Sequence, residues 1–494
     1  MKEKSIKRNY VYNVVYQVLA IIVPIITMPY VSRVLNAEGI GLYSYGSSIA
    51  SYFVLAATLG TTVFGQRAIS YVQGDIEARS RAFWELFIFR LISTAIALAA
   101  YAAVFFAFLK DNGTMYLILA LNVVNVATDI SWFFQGIEEF GKIVIRNVVF
   151  RILNLAAIFI FIKTASDLYK YVLIVVGFTT ASNLSLWFMM KGNVCRVKGI
   201  KPFRDVKEIL QFFIPTVATQ IYTVLDKSMI GWFTGSDAEN GYYEQAERIV
   251  KTTLTVVTAL GTVMIPRISK YFKEGKTDLM REYLYKSYRF TFLLAVPIAF
   301  GLFSTASTLV PVFLGDGYEP CVLLIQVFSA LVILIGLSNA NNLQLFVPTG
   351  RQNLLTVTVT VGAVVNAVLN VILIPRFAAT GACIASVIAE GVVTLLGFVF
   401  IIKAKDLAVG KIFLSSWKYW VAGAAMCAAV YAVKSVMPIT VWALATLIVF
   451  GAVAYFLILL ILRDELLIGS IKAVLSRLKK KPAEVPADEN ADNN

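Results

Sequence analysis

Apolar runs of about 20 residues recur along the whole chain, and each is long enough to cross a hydrocarbon core of ~30 Å as a helix. A soluble domain of 494 residues could not hide a chain that is 59% hydrophobic and only 15% charged. In lipid the backbone must satisfy its own hydrogen bonds, so such runs form helices. The first run, residues 10–34, is too long for a signal peptide and is interpreted as a span. The sequence therefore predicts an all-α polytopic membrane protein.

Fourteen runs are candidate spans, an even number that leaves both termini on the same side of the membrane. The predicted spans are residues 10–34, 40–65, 83–109, 114–135, 143–163, 168–190, 208–234, 243–266, 290–312, 319–347, 353–375, 378–402, 415–437 and 440–462.

Positive charge is distributed unevenly between the predicted loops. The chain carries 44 Lys and Arg against 30 Asp and Glu, a net charge of +14. Most of these cations fall in or beside alternate loops, starting with the N-terminal segment. The positive-inside rule therefore predicts that both termini are cytoplasmic. We expect the membrane to be the bacterial cytoplasmic (inner) membrane. We expect no nucleic-acid partner, whereas anionic membrane lipids and a phosphate-bearing substrate fit the charge.

The loop richest in cations, residues 191–207, follows the sixth span and divides the chain. We predict an N-terminal lobe of spans 1–6 (1–190), a basic cytoplasmic linker (191–207), a C-terminal lobe of spans 7–12 (208–403), and two further spans (404–463). The cytoplasmic segment 464–494 is expected to hold an interfacial amphipathic helix over 464–481 and a disordered acidic tail from 482.

A faint internal repeat relates the two predicted lobes. Gly41 and Tyr43 recur as Gly241 and Tyr243, 200 positions further on. Other matches share an offset of 200 or 201: Leu59-Gly60-Thr61 with Leu260-Gly261-Thr262, and Arg67 and Tyr71 with Arg267 and Tyr271. Two similar bundles related by a pseudo-two-fold axis are typical of transporters with a central cavity.

The composition also limits the chemistry. The chain has no histidine, and its four cysteines are scattered without the spacing of a metal site or a disulfide framework. It has no Walker loop for ATP. Every predicted outer loop is short, which argues against a glycosyltransferase or polymerase that uses lipid-linked sugars. We expect a protein that is not an enzyme, with no metal and no cofactor.

Ionisable side chains inside spans are costly and usually face a cavity. In span 7, Asp226 lies at the depth of Arg248 and can pair with it, while Lys227 either joins this site or snorkels to the outer interface. Four charged residues of span 8 share one helix face and form either a cationic cavity site or a self-paired helix end: Glu244, Glu247, Arg248 and Lys251.

Three ionisable residues of the first lobe lie nearer the predicted cytoplasmic side: Arg90, Asp129 and Arg151. One arginine pairs with Asp129 and leaves the other for an anion, or the three form a structural ion-pair cluster. Glu390, near the middle of span 12, is a candidate protonatable group that couples transport, or else a hydrogen-bonded helix contact. The run Trp132-Phe133-Phe134 favours a membrane-interface belt, with sugar stacking as the alternative.

Several loose motifs occur in a recognisable order. They are residues 13–33 with Ala37-Glu38-Gly39-Ile40-Gly41-Leu42-Tyr43, then Trp132-Phe133-Phe134-Gln135-Gly136-Ile137-Glu138 with Gly141-Lys142 and Arg146-Asn147, then Leu373-Ile374-Pro375 with Gly381-Ala382. Over residues 1–460 this order resembles the polysaccharide-repeat-unit flippases, the Wzx-type branch of the MOP exporter superfamily. The superfamily also contains the lipid II flippase and the MATE multidrug exporters.

The resemblance implies two six-helix MATE-like lobes that alternate access to the two sides of the membrane. It implies, as substrate, a polyprenyl-diphosphate-linked oligosaccharide repeat unit of a cell-surface polysaccharide, moved to the outer leaflet. A polysaccharide polymerase and assembly proteins are then candidate partners. The segment 242–270 is also similar to span 8 of the lipid II flippase, where an arginine at the position of Arg248 lines the cavity.

Two alternative functions stay open. The Arg-Asp pair that the lipid II flippase carries in its first span is absent, with Asn9, Asn13 and Gln17 as the polar groups there, which favours a polysaccharide repeat unit over lipid II. A MATE-type multidrug or cation antiporter would use acidic side chains, and carboxylates are about as numerous as cations within the predicted spans.

Overall fold

The computed structural model of the protein describes residues 6–108, 112–469 and 472. Within these ranges every regular element is helical, which confirms the predicted all-α class. The helices are α1 (Ile6–Thr58), α2 (Thr61–Tyr71), α3 (Ile76–Phe108), α4 (Gly113–Thr128), α5 (Ser131–Gly136), α6 (Phe140–Phe161), α7 (Leu168–Phe188), α8 (Val206–Thr234), α9 (Asp237–Lys273), α10 (Thr277–Phe313), α11 (Pro320–Asn339), α12 (Gln352–Ala404), α13 (Val409–Lys434) and α14 (Val441–Ile461), with a 3₁₀ turn at Ala165–Asp167 and a π-helical turn at Ala340–Phe346.

Nine helical segments of the described chain are long and apolar enough to cross a membrane. Two of them, Ile22–Tyr71 and Gln352–Ala404, hold 50 and 53 residues. At 1.5 Å per residue each runs for about 75–80 Å, more than twice the thickness of a ~30 Å hydrocarbon core, so each contains two crossings. The chain is a multi-pass membrane protein. The predicted total of fourteen spans is compatible with this arrangement and stays a prediction.

The two longest helices are broken at single residues with left-handed backbone conformation. Asn36 has φ 58° inside α1, and Ala378 has φ 49° inside α12. The break at Asn36 lies in the gap between predicted spans 1 and 2, and the break at Ala378 lies at the first residue of predicted span 12. At the second break the carboxylate of Glu239 accepts a hydrogen bond of 2.9 Å from the N–H of Ala379, which satisfies a backbone donor that the kink releases.

Three predicted spans are not single regular α-helices. In span 40–65 the chain leaves α1 through Leu59 and Gly60, at φ 45° and 78°, before α2 begins. In span 114–135 Asp129 leaves the helix, and its carboxylate accepts a hydrogen bond of 2.9 Å from the N–H of Ser131, which forms a turn between α4 and α5. Span 319–347 ends in the π-helical turn.

The aromatic run of α5 lies in the protein interior. Trp132, Phe133 and Phe134 are all at most 1% exposed. The ring of Phe83 on α3 lies 5.6 Å from that of Trp132 and 5.3 Å from that of Phe133. The predicted interface belt is therefore wrong for this segment, because the break at Asp129 turns α5 inward between α2 and α3.

The segment that connects α7 to α8 is attached to the first part of the chain. Arg204 forms an ion pair of 3.1 Å with Glu85 of α3. A hydrogen bond from Arg204 to the carboxylate of Asp205 raises the pKa of Arg204 further above its usual range. At the start of α8, Glu208 pairs with Arg67 of α2 at 2.9 Å. We call this end of the helical bundle the linker end.

Helices α1–α7, the N-terminal half, meet helices α8–α14, the C-terminal half, at the end of the bundle opposite the linker end. A Cβ atom on Gly41 would lie 1.6 Å from the carbonyl oxygen of Asp237, and one on Gly241 would lie 2.0 Å from that of Ala37. Only glycine allows α1 and α9 to approach this closely. The two glycines are the pair that the 200-residue repeat relates. The predicted lobe boundaries themselves stay predictions.

The chain after α14 is anchored in the bundle where it is described. Asp464 is fully buried and accepts hydrogen bonds from Arg289 of α10 at 3.2 Å and from Tyr419 of α13 at 3.1 Å. The predicted interfacial helix 464–481 lies outside the described residues beyond 469, apart from residue 472, and the predicted tail from 482 lies outside them entirely.

Candidate functional site

A cavity of about 520 Å³ lies between the two halves of the bundle. Helices α1, α6 and α7 supply its walls from the N-terminal half, and α8 and α9 supply them from the C-terminal half. We call it the charged cavity, because its wall holds six charged side chains: Arg151, Lys227, Glu244, Glu247, Arg248 and Lys251. The wall also holds uncharged polar side chains: Thr27, Asn154, Tyr171, Thr252 and Thr255.

The charged side chains of α9 follow one another along a single helix face, as residues three and four apart do. Arg248 pairs with Glu244 at 3.0 Å, and Lys251 pairs with Glu247 at 2.6 Å. Lys227 projects from α8 between the two carboxylates, with its Nζ 2.5 Å from Glu244 and 3.0 Å from Glu247. Both carboxylates are therefore shared between two cations.

The N-terminal half completes the site. The hydroxyl group of Ser44 on α1 donates a hydrogen bond of 3.0 Å to Glu244, so the ion network joins the two halves. Tyr171 of α7 lies against Arg248. Arg151 of α6 faces the cavity from the other wall.

Four cations and two carboxylates leave the wall with a formal charge of +2. Lys227 has only 19% of its side chain exposed, whereas Arg248 has 38% and Lys251 has 47%. Lys227 thus holds the two glutamates, and the more exposed Arg248 and Lys251 keep donor groups available to a solute. An excess of positive charge in a low-dielectric enclosure attracts anions strongly.

An apolar groove of about 530 Å³ adjoins the charged cavity. The two share Pro24 of α1 and Thr252 of α9 in their walls. Most of the remaining wall is formed by apolar side chains of α10, α13 and α14, among them Leu302, Leu447 and Phe456. A solute with a charged head and an apolar chain can therefore occupy both spaces at once.

A buried polar cluster lies behind the charged cavity in the C-terminal half. Asp226 of α8 is 5% exposed and accepts hydrogen bonds from Tyr243, Ser386 and Asn370, the last at 2.5 Å. Asn366 donates to Ser386 at 3.3 Å. A single buried carboxylate whose partners are neutral donors can take up a proton. In the described residues no group of three or more Cys, Asp or Glu is arranged for a metal ion.

The family model described as "Polysaccharide biosynthesis protein" matches residues 6–272, more than half of the chain. The chain belongs to this polysaccharide biosynthesis protein family.

This chain has curated relatives that are named as transporters or flippases. It is 23% identical to a putative O-antigen transporter of Escherichia coli K12 over 415 residues, which covers 82% of this chain and 98% of the relative. It is 22% identical to a putative O-antigen transporter of Shigella dysenteriae, over 77% of this chain and 95% of the relative. It is also 23% identical to the lipid II flippase MurJ of Bacillus subtilis, over 81% and 83%.

Two solved structures share the fold. A lipid II flippase MurJ in an inward closed conformation matches 91% of this chain and 99% of its own, with a TM-score of 0.70 at 16% identity. A MATE family transporter of the MOP superfamily in an inward-facing conformation matches 77% and 97%, with a TM-score of 0.60 at 16% identity. The protein therefore has the MATE-like fold that the sequence resemblance implies.

The structure brings together six of the residues singled out from the sequence, and all of them line the charged cavity: Arg151, Lys227, Glu244, Glu247, Arg248 and Lys251. Lys227 does not snorkel, because its ammonium group is held by two glutamates. Arg90 and Asp129 lie elsewhere. Arg90 is 2% exposed in the N-terminal half and close enough to Asp129 for electrostatic attraction, but neither residue lines the cavity.

The predicted pairing of Asp226 with Arg248 is wrong. Neighbouring helical positions differ by about 100° in direction, so Asp226 and Lys227 face different sides of α8. Lys227 takes the position beside Glu244, and Asp226 turns into the buried cluster. Glu390 lies within hydrogen-bonding distance of Ser338 at 3.4 Å, one turn of α12 from Ser386. The polar partners of Asp226 were missed, although Asn366 and Asn370, four residues apart in an apolar span, are a visible signal.

Proposed function

We propose that this protein is a flippase that moves a polyprenyl-diphosphate-linked oligosaccharide repeat unit from the cytoplasmic to the outer leaflet, for the synthesis of a cell-surface polysaccharide. The observation that carries the proposal is the formal charge of +2 on the wall of a cavity between two bundle halves. A diphosphate group has the opposite charge. Membership of a polysaccharide biosynthesis family and the transporter names of the relatives support the same substrate class.

The site offers the chemistry that such a headgroup needs. A guanidinium group donates hydrogen bonds in pairs and matches the geometry of phosphate oxygens, so Arg151 and Arg248 are the proposed diphosphate ligands. Lys251 adds a mobile point charge, and Lys227 positions Glu244 and Glu247. The adjoining apolar groove gives the first isoprene units a place outside the polar cavity, and the rest of the tail stays in lipid.

Transport follows from relative motion of two lobes around this site. We propose residues 1–190 and 208–403 as the lobes, 191–207 as a cytoplasmic linker, 404–463 as an appended pair of spans and 464–494 as a cytoplasmic segment. The N- and C-termini lie in the cytoplasm, and the membrane is the bacterial inner membrane. Rocking of the lobes then exposes the cavity to each side in turn. A polysaccharide polymerase and assembly proteins receive the product.

Energy for the cycle comes from coupling to a proton, a cation or the membrane potential. Asp226 and Glu390 are the proposed coupling groups, since both are carboxylates within the C-terminal half and Asp226 is surrounded by neutral donors. Protonation or cation binding there changes the charge next to α8 and α9, the two helices that carry the C-terminal wall of the cavity.

The second candidate function is a multidrug or cation antiporter. The observation in its favour is the MATE fold together with Glu244 and Glu247 in the cavity wall. Both glutamates, however, already pair with two cations each, so the described residues of the wall offer a cationic drug no unpaired carboxylate.

The test uses the purified protein in liposomes that contain a fluorescent polyprenyl-diphosphate oligosaccharide. Exposure of the headgroup is followed with an external sugar-modifying enzyme for the wild type, for Arg248→Ala and for Arg267→Ala, an exposed arginine on the same helix outside the cavity. We expect protein-dependent exposure that falls for Arg248→Ala only. Exposure that both variants retain would remove Arg248 from the site. The absence of any protein-dependent exposure, together with transport of cationic dyes, would replace the flippase by the antiporter.

A further inference from the structure

A second polar cavity of about 300 Å³ lies next to the charged cavity, between α6 and α7. The two share Arg151 and Asn154 in their walls. The second cavity extends from there toward the linker end and is lined by Arg146 and by further amides and aromatic rings, including Asn147, Phe150, Phe178 and Asn183. We call it the amide groove. Its volume is at the lower end of the roughly 300–1,000 Å³ typical of small-molecule sites.

Helix geometry makes the two cavities one continuous path. On α6, Asn147, Arg151 and Asn154 are spaced by four and three residues, so they share a face, while Ile152 and Leu153 point outward and are about half exposed. On α7, the face that lines the charged cavity at Tyr171 and Val175 continues into the amide groove at Phe178 and Ser182. A solute in one cavity can therefore extend directly into the other.

The amides of the groove have unused hydrogen-bonding capacity. The carboxamide oxygen of Asn147 accepts from Arg146 Nε at 3.0 Å and Nη2 at 2.7 Å, which leaves the amide NH₂ group of Asn147 as a donor. The carboxamide oxygen of Asn154 is buried and has no hydrogen-bond partner among the described residues. A buried carbonyl oxygen without a partner is rare in proteins, because its desolvation is not compensated. The oxygen is therefore an acceptor that a ligand in the groove can use.

The chemistry of the groove fits a sugar ring. Hydroxyl groups donate and accept hydrogen bonds, and carboxamides offer both complementary functions on one side chain. Phe150 and Phe178 provide flat apolar faces for the C–H faces of a pyranose. No carboxylate lines the groove in the described part of the chain, so it does not favour a protonated amine. The arginine at the junction, Arg151, is where the sugar joins the charged group.

We propose that the amide groove binds the sugar attached directly to the diphosphate, and that it takes a neutral or acidic sugar rather than an amino sugar with a free amine. Asn147 and Asn154 are the specificity residues, and Arg151 bridges the sugar and the phosphate. This inference rests on the proposed flippase function. It assigns the first sugar to the amide groove and leaves the diphosphate in the charged cavity.

The experiment measures equilibrium binding to the purified full-length protein in nanodiscs. The probes are farnesyl diphosphate and farnesyl diphosphate that carries glucose, galactose, N-acetylglucosamine or glucosamine. The variants are Asn147→Leu and Asn154→Leu, with Asn353→Leu, an exposed asparagine at the start of α12, as the matched control. Thermal unfolding of each variant shows that it is folded.

We expect the wild type to bind at least one neutral glycosylated probe more tightly than farnesyl diphosphate and more tightly than the glucosamine probe. Each groove variant should weaken that probe by roughly 2- to 12-fold, the range of one lost hydrogen bond, and leave farnesyl diphosphate unchanged. Asn353→Leu should behave as the wild type.

Two other results overturn the inference in different ways. If the wild type binds farnesyl diphosphate but gains nothing from any sugar, or if the variants keep the gain, the groove is not a sugar site and the proposed function stands. If the wild type binds neither farnesyl diphosphate nor the glycosylated probes, the proposed function fails and this inference fails with it.

Discussion

The contact between Gly41 on α1 and Gly241 on α9 is expected to keep the two halves closed at the end opposite the linker end. In Gly241→Ala the new Cβ would lie 2.0 Å from the carbonyl oxygen of Ala37, where ordinary contacts begin at 3.4 Å. The two helices must therefore separate by about 1.4 Å or distort. Gly41→Ala is more severe, because its Cβ would lie 1.6 Å from the carbonyl oxygen of Asp237.

The magnitude follows from the cost of inserting a methyl group into a packed contact, typically about 1–3 kcal/mol. This cost applies only to the state in which the end is closed. The population should therefore shift toward the state that is open at this end by roughly 5- to 150-fold. The shift needs no change in the charged cavity, which does not include either glycine.

The assay is a spin-label distance measurement in nanodiscs between Glu38 on α1 and Asp316 in the loop after α10, both exposed at this end. Labels are introduced as cysteines after the exposed Cys195 and the half-buried Cys427 are replaced by serine. We expect a longer distance to gain population in Gly241→Ala and in Gly41→Ala.

The control is Gly391→Ala on α12, where a Cβ would meet no atom within 4 Å. It should leave the distance distribution and the unfolding temperature unchanged. If Gly241→Ala gave the same short distance as Gly391→Ala, the close approach of α1 and α9 would not be what holds this end closed, and the reasoning would be refuted.

Further predictions concern buried charges. Glu244→Gln takes the shared carboxylate from two cations and should lower the free energy of unfolding by about 3–5 kcal/mol, whereas Lys251→Gln, which is 47% exposed, should cost less than about 1 kcal/mol. Equal losses in thermal unfolding would contradict the shared-carboxylate arrangement. Asp464→Ala leaves a buried arginine and tyrosine without their acceptor and should also cost about 3–5 kcal/mol, while Glu465→Ala, at an 85% exposed side chain, should be nearly neutral. Asp226→Leu leaves three hydrogen-bond donors without an acceptor, at a cost of about 1–3 kcal/mol each. This variant should therefore unfold at a much lower temperature than Asp226→Asn. Similar unfolding temperatures would exclude the cluster as a structural element.

The sequence determined the class of the protein because the requirements for crossing a bilayer can be checked along the chain, segment by segment. Apolar length decides which segments cross, and the backbone must then be helical. The break at Asn36 falls in the gap between predicted spans 1 and 2, and the break at Ala378 falls at the start of predicted span 12. The shared face of Glu244, Glu247, Arg248 and Lys251 was equally available, since residues three and four apart on a helix are neighbours in any fold.

The tertiary structure decided which way each helix faces and what it meets. Counting residues along α8 places Asp226 at the depth of Arg248, but it does not define how α8 is rotated about its axis. In the structure that rotation places Lys227, and not Asp226, beside Glu244. The same holds for Trp132, which hydropathy assigns to an interface and a local break turns into the core, and for Asp464, whose partners lie 175 and 45 residues away. Depth in the membrane is a property of one segment and can be counted along the chain, whereas contact is a property of two segments and depends on how their side chains pack.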